Sequence, residues 1–583
     1  MTKLWERKHI FLWTFAGIAC VYLVLFSLLP EDSIWISDEG NRIMTMQAYS
    51  LTGSKTLPDP LAGIRNVPEG VRAYPEPYFI RKNGQWRSAY QLFFPYLASK
   101  VYSVAGSPGA LFLPVLGGLL AVLCAGLLAG PLFGDEKTSA PVMILCAFCT
   151  PLWFYSGTFL ETTLAAFFAT LSLWLFLKWK GTPGEIPKMV LCGALTGLSI
   201  LFREEGFIFA FGLVLAAGIF CFSWKRLLAY GLGAALFVLP LLIWNYGDSG
   251  SIFGMHHKVY THLTGVGDSF LSMQFKNMSF YLFLLCLPFL GELNMVIPWV
   301  LLGGIFLRLI PKLRKAVEVL YLLFACLCCG ASLWCSLYTE HGGVFIYQSL
   351  LDHLPLFALF LLCLPVLLNR ETQKEIRFLA VLALAGIVLP PLLLQYDQPG
   401  MFWGGRHFLN VIPILCVLCI FLLRKAKNVS RIVKIGGWAL VVLSFAANLA
   451  GYGVLKTKRE FSARYVREIA KPEYKVILTD MFWMPEEFAW IHREKCVLLL
   501  TSPDAFDRVC PFLRANGIRQ YHLLLGKNFR LIRNESLRNA LKTVDIEPGA
   551  RFRHHMLGFF ECQLFLCTEK PSPKPTSQGA QDG

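Results

Sequence analysis

Tyr90-Gln91-Leu92-Phe93-Phe94-Pro95-Tyr96-Leu97-Ala98-Ser99-Lys100-Val101-Tyr102-Ser103-Val104-Ala105-Gly106 is the stretch on which the layout of the whole chain turns. It is apolar enough for a membrane helix, yet it is short and carries Pro95 and Lys100. Crossing about 30 Å of hydrocarbon takes roughly 20 apolar residues at 1.5 Å each. If 90–106 spans the bilayer, every later loop changes side. If it lies on the surface, the loops keep their sides, and the basic residues decide between the two.

Working outward, thirteen apolar runs have spanning length: 10–29, 109–133, 139–157, 159–178, 188–203, 206–222, 226–246, 279–307, 316–338, 345–369, 376–395, 406–424 and 432–453. Lys3, Arg7 and Lys8 precede the first run and place the N-terminus in the cytoplasm. With 90–106 left outside the bilayer, the cytoplasmic segments include Lys178–Lys188, Lys225–Arg226, Arg308–Lys315, Arg370–Arg377 and Arg424–Lys434. They hold 21 Lys and Arg, against 4 in the short outer loops. Counting 90–106 as a span inverts this asymmetry and breaks the rule that cytoplasmic loops are basic. The stretch therefore reads as a juxtamembrane helix on the outer face, and the C-terminus falls outside. The first run is about twenty residues and ends in Leu29-Pro30-Glu31 without a small-x-small site, so it reads as an uncleaved anchor.

Composition agrees with this reading. Hydrophobic residues make up 55% of the 583-residue chain, charged residues only 16%, and mean hydropathy is +0.53. A soluble chain of this length would form two or more domains with more surface charge. The net charge of +16 would suggest nucleic acid in a soluble protein; here basic cytoplasmic loops account for it, and no nucleic-acid partner is expected. The expected class is an α-helical polytopic protein of the plasma (inner) membrane with a small C-terminal α/β extracytoplasmic domain.

The expected division is a transmembrane domain over 1–455, with 30–106 its first outer loop, an α/β domain over 456–570, and a disordered tail over 571–583. In the second unit Lys475–Thr479, Cys496–Leu500 and Gln520–Leu525 read as strands. Pro485–Glu494 and Pro503–Asn516 read as helices, and Phe552–Cys567 as a closing strand pair. It has neither GxGxxG nor GxxxxGK, so nothing points to nucleotide binding. Of eighteen cysteines, Cys496, Cys510, Cys562 and Cys567 lie in this region, where a disulfide is possible and its pairing open.

Chemistry is expected where polar groups meet the outer membrane face. The first outer loop opens Trp35-Ile36-Ser37-Asp38-Glu39-Gly40-Asn41-Arg42. Two carboxylates just beyond a span are partly desolvated, which raises their pKa values and makes one a plausible base; an ordinary helix start, with Asp38 as cap, is the plainer reading. On the same face fall Glu161, Arg203 with Glu204 and Glu205, the loop residues His256, His257 and Lys258, and Arg406 with His407. Ionisable groups at membrane depth are costly unless paired or wet, so each is a functional candidate. The plainer readings are an ion pair of Arg203 with Glu204 or Glu205, a loop His pair that binds no metal, and an Arg406 that snorkels to headgroups. Carboxylates on one rim and Arg, Lys and His on the other suit transfer between a polar acceptor and an anionic lipid headgroup. The base takes the acceptor's proton while the cations hold the leaving phosphate.

The order of these pieces resembles the GT-C glycosyltransferases, in particular the protein O-mannosyltransferase and lipid A aminoarabinose transferase branches. The resemblance rests on Asp38-Glu39 in a long first outer loop and on Tyr90-Gln91-Leu92-Phe93-Phe94-Pro95-Tyr96-Leu97. Ser156-Gly157-Thr158-Phe159-Leu160-Glu161 and Gly404-Gly405-Arg406-His407-Phe408-Leu409 follow the same order. It covers about residues 1–455. The family's cationic position before one span is here Arg203-Glu204-Glu205, and the C-terminal region is not the mannosyltransferases' own domain. The resemblance implies a sugar transferred from a polyprenyl-phosphate donor to a lipid, glycan or protein acceptor on the outer face of the membrane. Asp38 would be the base and Glu39 its assistant. Arg406 would be the phosphate ligand, with Arg203 and Lys258 in support, and Glu161, His256 and His257 would line the pocket. No cofactor is expected, and a divalent metal is left open. A lipid-linked sugar flippase and a non-catalytic membrane scaffold are the alternatives.

Overall fold

The computed structural model describes residues 2–61, 66–133, 136–221, 223–255, 303, 307, 308, 310–338, 349–393, 403–502, 504–526, 544–554 and 561–570. His256, His257, Lys258, the expected span 279–307 up to residue 302 and the tail 571–583 lie outside the described residues.

Among the described residues seven helices are long and apolar enough to cross a membrane. They are α1 (Thr2–Ser27), α3 (Phe93–Phe133), α6 (Thr162–Trp179), α7 (Glu185–Phe202), α9 (Trp224–Ser249), α14 (Lys374–Leu393) and α16 (Arg431–Ile469). Other helices sit among them: α2 (Ser37–Thr52), α4 (Ser139–Phe148), α5 (Leu152–Ser156), α8 (Glu205–Phe220), α10 (Arg314–Tyr338), α11 (Leu350–His353), α12 (Leu356–Leu362), α13 (Leu364–Leu368) and α15 (Ile412–Arg424). Leu236, Ile243, Leu327 and Val442 stay exposed on α9, α10 and α16. In water such apolar faces would be a liability; in a bilayer they meet lipid. The chain is a multi-pass membrane protein.

The 90–106 stretch is helical from Phe93, and Gly106 breaks α3 with φ 65° and ψ −163°. Only glycine takes that conformation at little cost, so the helical segments before and after Gly106 are two rods joined at one residue. Elsewhere expected spans are broken. The run 139–157 is α4 and α5, separated at Cys149-Thr150-Pro151, and the described part of 345–369 is three short helices with breaks at Leu354-Pro355 and Cys363. Proline lacks the N–H that continues a helix and disfavours helical geometry in the residue before it, which explains the breaks at Pro151 and Pro355.

Helix α16 does not stop at the membrane. It runs on through the expected domain boundary at 455/456 to Ile469, carrying the outer domain on its end. That domain has a six-stranded sheet in the order β2-β6-β5-β7-β9-β8. The strands are β2 (Val71–Arg72), β5 (Val476–Thr479), β6 (Cys496–Leu500), β7 (Gln520–Gly526), β8 (Val544–Arg553) and β9 (Glu561–Glu569). β5, β6 and β7 are parallel, and β2, β9 and β8 join antiparallel. Strands covered on both faces read as unbroken apolar runs, as in the fully buried Val476-Ile477-Leu478-Thr479. Helix α18 (Ala505–Ala515) lays Phe506, Val509, Cys510 and Leu513 on the sheet, the i, i+3, i+4, i+7 stripe of a half-buried helix. The expected helix over 485–494 is the single turn α17 (Met484–Glu487) followed by turns.

The edge strand β2 comes from the first outer loop, with Val71 opposite Leu500 and Arg72 opposite Leu499. The same loop also forms a separate sheet of β1 (Thr56–Leu57), β4 (Gln85–Ser88) and β3 (Phe79–Lys82). The first loop and the C-terminal domain are thus stitched together by strand pairing. Cys496, Cys510, Cys562 and Cys567 are free thiols.

Candidate active site

Helix α2 starts directly after the outer end of α1 and carries Asp38 and Glu39 in its first turn, where the exposed backbone N–H groups favour carboxylates. Adjacent helical residues point about 100° apart (3.6 residues per turn), and here the two carboxylates have different partners. Asp38 Oδ1 accepts from the Tyr90 hydroxyl at 2.7 Å, and Oδ2 pairs with Arg406 Nη1 at 2.9 Å. Arg42, one turn on, donates from Nη1 to the Asp38 carbonyl oxygen at 2.8 Å and lies over the Tyr90 ring, 4.9 Å from its centroid. Burial alone would push the Asp38 carboxyl up. The charges of Arg406 and Arg42, with the Tyr90 hydrogen bond, outweigh it and hold the pKa at about 2. The expectation of a raised value is corrected by these three groups, 4, 52 and 368 residues away in sequence.

Glu161, the residue before α6, accepts from two arginines: Arg42 Nη2 at 2.7 Å and Arg203 Nη1 at 3.1 Å. Arg203 also donates from Nε to Glu205 at 2.9 Å, and Glu205 meets His407 Nδ1. Gln91 donates to Glu204 at 3.1 Å. Asp38, Glu161 and Glu205 are thus interleaved with Arg42, Arg203 and Arg406 in one largely buried, charge-balanced chain.

Of the residues expected at the site, Asp38, Glu161, Arg203 and Arg406 come together, and Arg203 pairs with Glu205 as the plainer reading of that segment expects. Glu39 faces the other way and is fully buried, its Oε2 paired with Arg459 Nη2 of α16 at 2.7 Å. Burial pushes its pKa up despite Arg459. Arg42 and Tyr90 are members that sequence reading left without a role. Only Arg42 has a local signal, lying at i+4 from Asp38 on the same helix face. Among the described residues no cluster of His, Cys, Asp and Glu could hold a metal ion.

The outer domain closes on α2 from above. A Cβ added to Gly40 would strike the Glu486 carbonyl oxygen of α17. Gly40→Ala is therefore expected to destabilise the protein by about 1–3 kcal/mol, the usual cost of overpacking. A thermal midpoint unchanged from the parent would show that α17 gives way freely.

No protein-family model matches the chain, and no curated protein matches it by sequence. Solved structures do match. The crystal structure of ArnT from Cupriavidus metallidurans in the apo state superposes with a TM-score of 0.51 at 12% identity, covering 95% of this chain and 97% of that one. The same protein bound to undecaprenyl phosphate gives 0.50 at 13% identity over the same shares. The Archaeoglobus fulgidus oligosaccharyltransferase in the apo form gives 0.50 at 14% identity, covering 90% of this chain and 70% of that chain. At these identities the likeness establishes the fold alone, an architecture shared over most of the chain with both proteins.

Proposed function

We propose that this GT-C-fold chain is a glycosyltransferase. It moves a sugar from a polyprenyl-phosphate donor to a hydroxyl-bearing acceptor at the outer membrane face. The observation that carries this reading is Asp38, an ionised carboxylate held between Tyr90 and Arg406 where the membrane helices meet the outer domain. A solved neighbour of the same fold holds undecaprenyl phosphate, which fits a lipid-phosphate donor here.

In the reaction, the acceptor oxygen forms a bond to the sugar's anomeric carbon as its proton passes to Asp38. The bond from that carbon to the phosphate oxygen breaks, and its electron pair leaves with the polyprenyl phosphate. Arg406, with Arg203 in support, holds the phosphate and stabilises the charge that develops on it.

At a pKa of about 2 Asp38 is a weak base. A donor phosphate that draws Arg406 away removes the largest influence depressing that value, so donor binding itself activates the base. Glu161 keeps Arg42 and Arg203 in place. Glu39, tied to Arg459, positions α2 and does not touch the acceptor.

Arg406→Met is expected to raise the donor KM about 10- to 100-fold, the worth of a charge-assisted hydrogen bond. It also moves the acid limb of kcat/KM. The base acts only when ionised, so activity is lost as pH falls through its pKa. Without Arg406 that pKa rises, and the loss comes at higher pH than in the parent. An acid limb that stays put would show that Arg406 does not govern Asp38.

Proteoliposomes given labelled polyprenyl-phosphate sugars test the function as a whole. Labelled acceptor marks a transferase, donor moved across without transfer marks a flippase, and neither marks a scaffold.

A further inference from the structure

Two adjacent carboxyls of α17 are treated in opposite ways by the fold. Glu487 accepts from Lys458 Nζ at 2.7 and 2.9 Å and from Ser462 at 2.9 Å, and it also meets the Tyr465 hydroxyl. Glu486 is fully buried, yet neither of its carboxyl oxygens has a hydrogen-bond partner. It sits against the first turn of α2, where a Cβ on Gly40 would lie 2.9 Å from its own Cβ. Buried polar groups left unpaired are few in native structures, and each calls for an explanation.

An ionised carboxylate in such surroundings carries the full desolvation penalty. Burial first, then the Asp38 charge and the Glu487 charge, push the Glu486 pKa well above the ordinary carboxyl range. Glu486 thus keeps its proton to higher pH than an ordinary carboxyl, and in that protonated form it has one O–H to donate and acceptor capacity to spare. Asp38, beside it, is held ionised. Neighbouring carboxyls driven apart in this way take different roles.

The approach to the pair is aromatic. Tyr90, whose hydroxyl donates to Asp38, lies parallel to Tyr78 with centroids 6.2 Å apart and planes at 4°. Tyr78 is in turn nearly parallel to Phe482 at 6.3 Å and 20°, and Phe482 is 43% exposed. A row of rings runs from the exposed Phe482 to the Asp38 carboxylate, and Glu486 follows Phe482 by four residues in sequence and packs against α2 beside Asp38. Apolar ring faces beside a carboxyl that can both donate and accept match a polyhydroxylated ring, which offers a C–H face and paired hydroxyls.

We propose that Glu486 is the acceptor-binding carboxyl of the site, and that the acceptor is a sugar. Its ring passes along Phe482 and Tyr78, its attacking hydroxyl gives its proton to Asp38, and a neighbouring hydroxyl exchanges two hydrogen bonds with Glu486. This rests on the transferase reading above. Glu487 anchors α17 to α16, so rotation about the side-chain bonds of Glu486 brings its carboxyl to the acceptor. A peptide serine or threonine has no second hydroxyl to offer it.

The test uses the full-length protein in liposomes with polyprenyl-phosphate sugars labelled in the sugar. Methyl hexosides or a Ser/Thr peptide serve as acceptor, and release of free labelled sugar to water is followed in parallel. Hydrolysis needs Asp38 and the donor but not Glu486. Glu486→Leu is expected to lower transfer to the hexoside about 10- to 100-fold through the acceptor KM, the loss of two neutral hydrogen bonds, with hydrolysis unchanged. Glu486→Gln keeps a donor and an acceptor and loses less. Phe482→Ala, at a half-exposed position, raises the same KM and serves as the test if Glu486→Leu does not fold.

Unchanged hexoside transfer in these variants overturns the proposal. So does a parallel fall in hydrolysis by a folded Glu486→Leu, or preference of the parent for the peptide. Absence of both hydrolysis and transfer in the parent overturns the transferase reading itself.

Discussion

Asp38→Asn is expected to lower transfer by about a hundred- to ten-thousandfold, the range set by loss of a general base, while the protein still expresses and folds. The substitution is nearly isosteric. Its one amide oxygen still accepts from Tyr90 or Arg406, so one of the two hydrogen bonds that hold the start of α2 in the site survives. What disappears is the charge that takes the acceptor's proton.

The neutral amide also releases Arg406 from its ion pair. Donor phosphate then meets an arginine no longer held by a carboxylate, and the donor KM stays level or falls. A large drop in kcat with donor binding intact separates loss of the base from collapse of the site, which would raise KM as well. Full transfer activity in a folded Asp38→Asn protein would sink the mechanism. Hydrolysis of the donor by water should fall in parallel, since water gives up its proton to the same carboxylate.

Much of this site is legible in the sequence because membrane alternation is so restrictive. Arg406 and Asp38 are 368 residues apart. Placing both on one face needs only the basic loops and the reading of Tyr90–Gly106 as a surface helix. The strands 476–479 and 496–500 were equally plain, as unbroken apolar runs between turn residues.

What stayed hidden depends on tertiary packing. Nothing local says that Glu39 turns to Arg459 while its neighbour turns to Arg406, because both are carboxylates in one helical turn. The two residues of β2 carry no periodicity, so the stitch between the first outer loop and the outer sheet is invisible before the chain is folded. The direction of the Asp38 pKa was misread for the same reason. Desolvation is local and easily anticipated, whereas the arginines that overcome it arrive from α2 itself and from the start of the α15 segment.

The second large effect lies in that hidden half. Lys458 and Arg459, successive residues of α16, grip the start of α2 and the outer domain together. Lys458 Nζ donates to the Ile34 carbonyl at 3.0 Å as well as to Glu487, and Arg459 pairs with Glu39 at 2.7 Å. All four side chains are buried. Since α16 is seated in the membrane along its first half, it acts as a strut that fixes α2, and with it Asp38, relative to the outer domain.

Removing one partner of a buried ion pair costs about 3–5 kcal/mol, because the other charge stays behind without compensation. Arg459→Met is expected to lower stability by that amount in denaturant or heat, and to lower transfer with it, since a shift of about 1 Å in a catalytic group can cost a hundredfold. Glu39→Gln alone strands Arg459 and is expected to cost a similar amount. The double variant Glu39→Gln/Arg459→Met leaves neither charge of that pair stranded, so it should recover most of the stability lost by either single change. Strict additivity of the two losses would mean that Glu39 and Arg459 act independently, and the strut would then have to be sought in Lys458 and Glu487.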